Sequence, residues 1–200
     1  MHKSFTLVEL IVVIAIIAIL AAIITPNAFR AIEKAKISRL TQDIETLKAA
    51  AMAYYADVGL WPPDVCPAED PGFMRWDAYQ TRCCGQDYDK LPPNYAQIIQ
   101  NNWDGPYLEK FPRYNPWGGS YDWEWWPSGS WGLPPGCYVS ARPKYNSIQF
   151  AGSCGYVGDP QDTDIPDPIE VKLQQEGIDE HHPAGVDIPS NHVIMCITKF

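Results

Sequence analysis

The chain has 200 residues, with 24 acidic against 15 basic side chains and a formal net charge of −9. An acidic balance of this size excludes a nucleic-acid surface, which needs clustered Lys and Arg. The sequence also contains no G-x-S-x-G, no H-E-x-x-H and no phosphate-binding Gly loop, so no enzymatic activity is expected.

The first element is the run Phe5 to Ile24, FTLVELIVVIAIIAILAAII, apolar except for Thr6 and Glu9. Twenty such residues are enough to span a bilayer as a helix. A carboxylate inside that helix costs about 2.5–3.5 kcal/mol on insertion scales, so Glu9 needs a partner. The next cation along the chain is Arg30, too far along the helix to reach it. A free α-amine at Phe5, made by cutting the chain after Ser4, supplies a positive charge at the right depth on a neighbouring copy. Lys3 and His2 on the short side favour an N-terminus in the cytoplasm and the remainder outside. The six cysteines (Cys66, Cys83, Cys84, Cys137, Cys154, Cys196) then lie in an oxidising compartment and read as a disulfide framework.

Ser4-Phe5-Thr6-Leu7-Val8-Glu9-Leu10 resembles the type III leader junction of type IV pilins and pseudopilins. The resemblance implies cleavage between Ser4 and Phe5 by a prepilin peptidase and N-methylation of Phe5. It also implies Glu9 as the carboxylate that registers on a neighbour's amine, and Pro26 as a helix break just past the apolar run. The family carries Gly before the cut, where this chain has Ser4.

From Pro26 onward, Phe29, Ile32, Lys36, Leu40, Ile44, Leu47, Ala51, Tyr54 and Val58 advance by threes and fours, with charges between them. That spacing predicts an amphipathic helix, with Leu40, Ile44 and Leu47 facing a globular domain. Gly59 and then Pro62-Pro63 stop it. The sequence from Tyr54 to Pro62, YYADVGLWP, resembles the end of the long helix in pseudopilins. Gly105-Pro106-Tyr107-Leu108, Phe111-Pro112 and Asn115-Pro116-Trp117-Gly118-Gly119-Ser120-Tyr121 resemble a block of the major pseudopilin of type II secretion, with Asn115 in place of Asp. Pro116 fixes a turn there, Gly118 and Gly119 permit positive φ, and Tyr121 starts a strand. Between residues 62 and 102 no resemblance exists.

On that strand Tyr121, Trp123 and Trp125 share one face, and Asp122, Glu124 and Trp126 the other. The four tryptophans 123, 125, 126 and 131 read as core or inter-subunit packing. A sugar-stacking surface and an aromatic electron path are the other readings. Cys137 and Cys154 fall opposite one another in a hairpin centred on Tyr145-Asn146, which puts both thiols on the apolar face. Their bridge would add about 3 kcal/mol in the chain-entropy model. Cys66, Cys83, Cys84 and Cys196 stay unassigned, since six cysteines allow about fifteen pairings. Asp159, Asp162, Asp164 and Asp167 leave open a calcium loop or a solvated acidic loop. His181 and His182 read as surface, and residues 192–200 as a final edge strand.

The expected fold is α+β: a long N-terminal helix, its hydrophobic half spanning the membrane, packed on a small antiparallel β-sheet domain held by disulfides. The expected segments are a leader (1–4), a transmembrane and filament-core helix (5–25) and an amphipathic half-helix (26–60). A Cys-containing variable loop region (61–104) and an antiparallel sheet domain with an acidic C-terminal region (105–200) follow. The resemblance implies a structural subunit of a type IV filament that self-associates through its helix. A type II secretion pseudopilin and a type IV pilus pilin, major or at the tip in adhesion, both fit. It further implies residence in a bacterial inner membrane, with the C-terminal domain periplasmic. The implied partners are an inner-membrane assembly platform with its ATPase and an outer-membrane secretin.

Overall fold

The computed structural model describes residues 6–66, 68–80, 90–129, 133–141 and 193–199. Two compact units divide the chain, residues 1–39 and 40–200. Helix α1, Leu7–Val58, contributes to both.

In the first unit every residue from Leu7 to Ile24 is exposed, because nothing in the unit covers an apolar surface that runs right round the helix. Within α1, this segment is long and apolar enough to cross a membrane. Pro26 lies inside α1 and the helix continues through it, so the long N-terminal helix expected from the sequence runs from Leu7 to Val58. The proline removes one donor, leaving the carbonyl four residues back without its helical bond. The Thr25 hydroxyl donates to the Ala21 carbonyl at 2.6 Å, back-bonding within the turn just before the proline.

The second unit is built on the other half of α1. Leu40, Ile44, Leu47, Ala51, Tyr54 and Val58 are all buried, as their spacing predicts. Phe29 and Ile32, the first two apolar positions of the same pattern, are 62% and 52% exposed. Gly59 ends the helix with φ +76° and donates its N–H to the Tyr55 carbonyl at 2.9 Å. Glycine is suited to that position because a left-handed φ carries no Cβ penalty.

The stretch expected to be a variable loop is more ordered than that. It holds a 3-10 turn, Trp76–Gln80, and a short helix, α2, Tyr95–Asn102. Tyr95 and Ile99, one turn apart, bury the inner face of α2. Ahead of the 3-10 turn, the half-buried Asp70 carboxylate accepts the N–H groups of Gly72, Phe73 and Met74 at 3.3, 2.8 and 3.0 Å. A side chain thereby satisfies a bend that has no ladder partner.

Among the described residues, three antiparallel strands pair in the order β1-β2-β3: β1 Tyr121–Trp126, β2 Gly136–Ala141 and β3 Val193–Lys199. The final strand expected over 192–200 is therefore present, at the sheet edge. Tyr121 and Trp123 point to the helix side, where the Tyr121 hydroxyl donates to Asp43 at 3.0 Å and the Trp123 indole donates to the Pro62 carbonyl at 3.0 Å. On the opposite face Trp126, Tyr138 and Ile194 form a cluster, with Cys196 against it. The alternation read from the sequence is the observed one. Trp123, Trp125 and Trp126 are all buried, so the sugar-stacking reading fails for these three and packing stands; Trp131 lies outside the described residues.

The hairpin expected to join Cys137 to Cys154 is also corrected. β2 lies between β1 and β3, so both its hydrogen-bonding edges are taken. Cys137 is a free thiol, fully buried. Burial pushes its pKa well up, reinforced by Cys196 and Asp64 nearby. Such a thiol is an inert packing group rather than a nucleophile. Cys196 is half-buried against the Trp126 cluster, and Cys66 is disulfide-bonded. Cys83, Cys84 and Cys154 lie outside the described residues.

Candidate functional site

The N-terminal site starts from the three-residue spacing of Thr6 and Glu9. The Thr6 N–H and hydroxyl both donate to the Glu9 carboxylate, at 2.8 and 2.7 Å, and the Glu9 N–H points back at the Thr6 hydroxyl at 3.3 Å. This is a reciprocal capping box: α1 begins at Leu7, Thr6 caps it, and Glu9 sits three residues in. Glu9 thus has a local partner in the single chain, which the search for a cation had missed. The T-x-x-E spacing was the signal that pointed to it. Ser4 and Phe5 lie outside the described residues.

A second constellation joins the two motifs that carry the family resemblance in the soluble part. The Tyr54 ring, fully buried, meets Tyr107 edge-on with centroids 5.7 Å apart and Phe73 at 6.4 Å. Tyr107 in turn packs edge-on against Trp103 at 5.6 Å. Its hydroxyl accepts the Asp104 N–H at 3.1 Å and is hydrogen-bonded to the Asp57 side chain near the end of α1. The Trp103 indole donates to the Gly72 carbonyl at 2.7 Å, and Phe73 offers its carbonyl to the N–H groups of Tyr107 and Leu108. The residues of YYADVG and GPYL thereby form one clasp, although some 50 residues separate them in the chain. No local sequence signal connects them.

Burial pushes the Tyr107 hydroxyl up to about 12, helped by the charges of Asp57 and Asp104. Burial raises Tyr54 further still. Below pH about 10 both tyrosines are protonated whether the chain is folded or unfolded, and this contribution to stability is complete. Above about 10 the unfolded chain ionises first, so stability falls through the window up to about 12. Tyr107→Phe is expected to flatten that part of the stability–pH profile, measured by urea unfolding at pH 9 to 12, while lowering neutral-pH stability by about 1 kcal/mol. An unchanged alkaline slope in the variant would mean the clasp does not titrate as described.

The turn block behaves as read, with one substitution explained. Asn115 is buried, and its side-chain oxygen accepts the N–H groups of Trp117 and Gly119 at 2.9 and 3.2 Å. Gly118 has φ +92°. The turn needs a side-chain acceptor rather than a charge, so an amide serves where the family has a carboxylate. Asp159, Asp162, Asp164, Asp167, His181 and His182 lie outside the described residues. Among the described residues no group of three His, Cys, Asp or Glu side chains is placed to hold a metal ion.

Two family models match the sequence: a prokaryotic N-terminal methylation motif over residues 1–25, and a PilW C-terminal model over residues 31–125. The type II secretion system core protein G of Klebsiella michiganensis is 31% identical over 120 residues, 60% of this chain and 71% of that protein. The chain belongs to the type IV pilin and pseudopilin family. Pilins and pseudopilins are structural subunits, not enzymes. The core protein G of Aeromonas hydrophila is similar to the same extent. Fimbrial protein EcpC of Eikenella corrodens is 43% identical over 63 residues, and the type IV major pilin PilE of Neisseria gonorrhoeae is 41% identical over 64; each match covers 32% of this chain. The chain spans about two fifths of the length of those two pilins. No solved structure matches it.

Proposed function

We propose that this chain is the repeating subunit of a type II secretion pseudopilus, held in the inner membrane by the apolar half of α1 and polymerised through it. The observation that carries the reading is the length of the match to core protein G. At 120 residues it must extend well beyond α1, whereas the pilin matches stop at 64. The Asn115-to-Tyr121 turn supports it, since the block that resembles the major pseudopilin keeps its hydrogen-bonding logic here. On this reading a prepilin peptidase removes Met1 to Ser4 and methylates Phe5. An assembly platform with its ATPase then extracts the subunit, and a secretin marks the outer exit. The fully exposed apolar surface of α1 supplies the driving force, because assembly replaces lipid contacts by helix–helix packing in a shared core. A type IV pilus is the second reading, favoured by the higher identity to PilE and EcpC over their shorter matches.

Deletion of this chain in its native host separates the two. Loss of folded-protein export with surface motility intact supports the pseudopilus, and the reverse pattern supports the pilus. Intact-mass analysis of membrane-derived protein should show a chain beginning at methylated Phe5. A chain still carrying Met1 to Ser4 in assembled material would remove the family mechanism altogether.

A further inference from the structure

Charge is divided unevenly along the chain. Between the end of the apolar run at Ile24 and the limit of the first unit at residue 39 stand Arg30, Lys34, Lys36 and Arg39, against a single carboxylate, Glu33. The chain as a whole is acidic, at −9. A basic segment in an acidic chain, placed directly after a stretch long enough to cross a membrane, is complementary to the phosphates of a lipid surface.

Helix rise fixes the depth of each side chain, because α1 continues without interruption past Ile24. At 1.5 Å per residue, Asn27, Phe29, Arg30 and Lys34 lie about 4, 8, 9 and 15 Å beyond it. The headgroup layer outside the hydrocarbon is roughly 5–8 Å thick, and long basic side chains reach back towards it along their stems. Asn27 and Arg30 therefore fall at the level of lipid phosphates and Lys34 within reach of them, whereas Arg39, about 22 Å out, is beyond. All five side chains are exposed. The 3.6-residue period then groups them. Asn27, Arg30 and Lys34, spaced by three and four, share one sector of about 60°. Phe29, 62% exposed, stands on the other side of the helix. One side thus offers amide, guanidinium and ammonium donors, and the other an aromatic ring for the apolar edge of the headgroup layer.

We infer that Asn27, Arg30 and Lys34 form a binding site for the headgroup phosphate of an anionic phospholipid, in the leaflet from which the soluble part of the chain emerges. This rests on the reading of a subunit stored in the membrane and adds the lipid class that the stored form selects. The Arg30 guanidinium can bond two phosphate oxygens at once, Lys34 adds a point charge and Asn27 a neutral donor. A basic side chain beside an anionic surface favours the charged lipid by about fivefold. Extraction of the subunit has to break these bonds, so a leaflet rich in anionic lipid holds the stored pool more tightly.

The test places the full-length chain in nanodiscs of phosphatidylglycerol and phosphatidylcholine in equal parts and counts the lipids retained after mild detergent release by native mass spectrometry. The wild-type chain is expected to retain phosphatidylglycerol over phosphatidylcholine by about fivefold or more. The double variant Arg30→Gln, Lys34→Gln should bring that ratio close to one. Arg39→Gln removes the same unit of charge beyond the reach of the headgroups and should keep the wild-type ratio. Millimolar inorganic phosphate should not displace the lipid, which separates a headgroup site from a site for free phosphate. Equal retention of the two lipids by the wild type, or an unchanged ratio in the double variant, would overturn the inference. So would a matching loss in Arg39→Gln, which would mean general charge attraction, or displacement by inorganic phosphate. Each of these outcomes leaves the filament reading standing, since insertion rests on the apolar run alone. A chain that never enters the nanodisc would remove the stored-subunit reading and the lipid site together.

Discussion

Glu9→Leu is expected to leave the chain inserted in the membrane while reducing filament yield by about tenfold or more, since about 1.4 kcal/mol of lost pairing already gives a factor of ten. The substitution makes the helix more apolar, so insertion is not impaired. What disappears is the one carboxylate within the run from Leu7 to Ile24. In the single chain that carboxylate is held by Thr6 at 2.7–2.8 Å. On the proposed filament reading, assembly would exchange this local partner for the amine of a neighbour's Phe5, and the low dielectric of the bilayer would strengthen a charge pair over a neutral hydroxyl contact. Glu9→Gln separates the two roles, because an amide can still accept from Thr6 but carries no charge. Filament yield by shearing and sedimentation, beside membrane fractionation of the same cells, reads the outcome. A Gln variant that assembles like wild type would show that the hydrogen bond, not the charge, registers the subunits.

Trp123→Ala is expected to lower the unfolding free energy by about 3–5 kcal/mol. The side chain is 1% exposed, meets Phe73 edge-on with centroids 5.3 Å apart, and bonds the Pro62 carbonyl. Removing it opens a cavity and strips a buried carbonyl of its donor, and the two losses act in the same direction. Domains of this size have about 5–15 kcal/mol in total, so the variant should sit near the edge of stability. Trp123→Phe keeps part of the packing and loses only the indole donor, so its cost should fall clearly below that of Ala. Urea unfolding of the detergent-solubilised chain measures both. A loss under about 1 kcal/mol for Trp123→Ala would place this residue outside the core.

Much of the molecule was legible residue by residue. The apolar run, the three–four spacing from Leu40 to Val58, the Gly59 stop and the inside–outside alternation from Tyr121 to Trp126 all appear as read. Each is a local periodicity, and local periodicity follows directly from helix and strand geometry. The Thr6–Glu9 cap is equally local, carried by the T-x-x-E spacing rather than by any charge partner.

The Cys137 pairing failed for a different reason. Turn chemistry at Tyr145-Asn146 and matching apolar faces describe a hairpin equally well whether or not another strand competes for the same edge. The competitor is β3, more than 50 residues further on, and a strand has only two edges. Within the region before residue 105, α2 is only eight residues long and is held by burial of Tyr95 and Ile99, a tertiary cause that leaves little local signal.

By itself, then, the sequence determined the elements and the family: an apolar run long enough for a bilayer, a helix with one buried stripe, a strand with two distinct faces and an N-terminal methylation motif. These depend on interactions within a few residues. Only the tertiary structure decided which strand lies beside β2, that Cys137 is a buried thiol, and that Asp57 and Tyr107 close one clasp from motifs 50 residues apart. Those are choices among long-range partners with similar local preferences. They are settled by which arrangement buries the most apolar surface while leaving the fewest backbone groups unbonded.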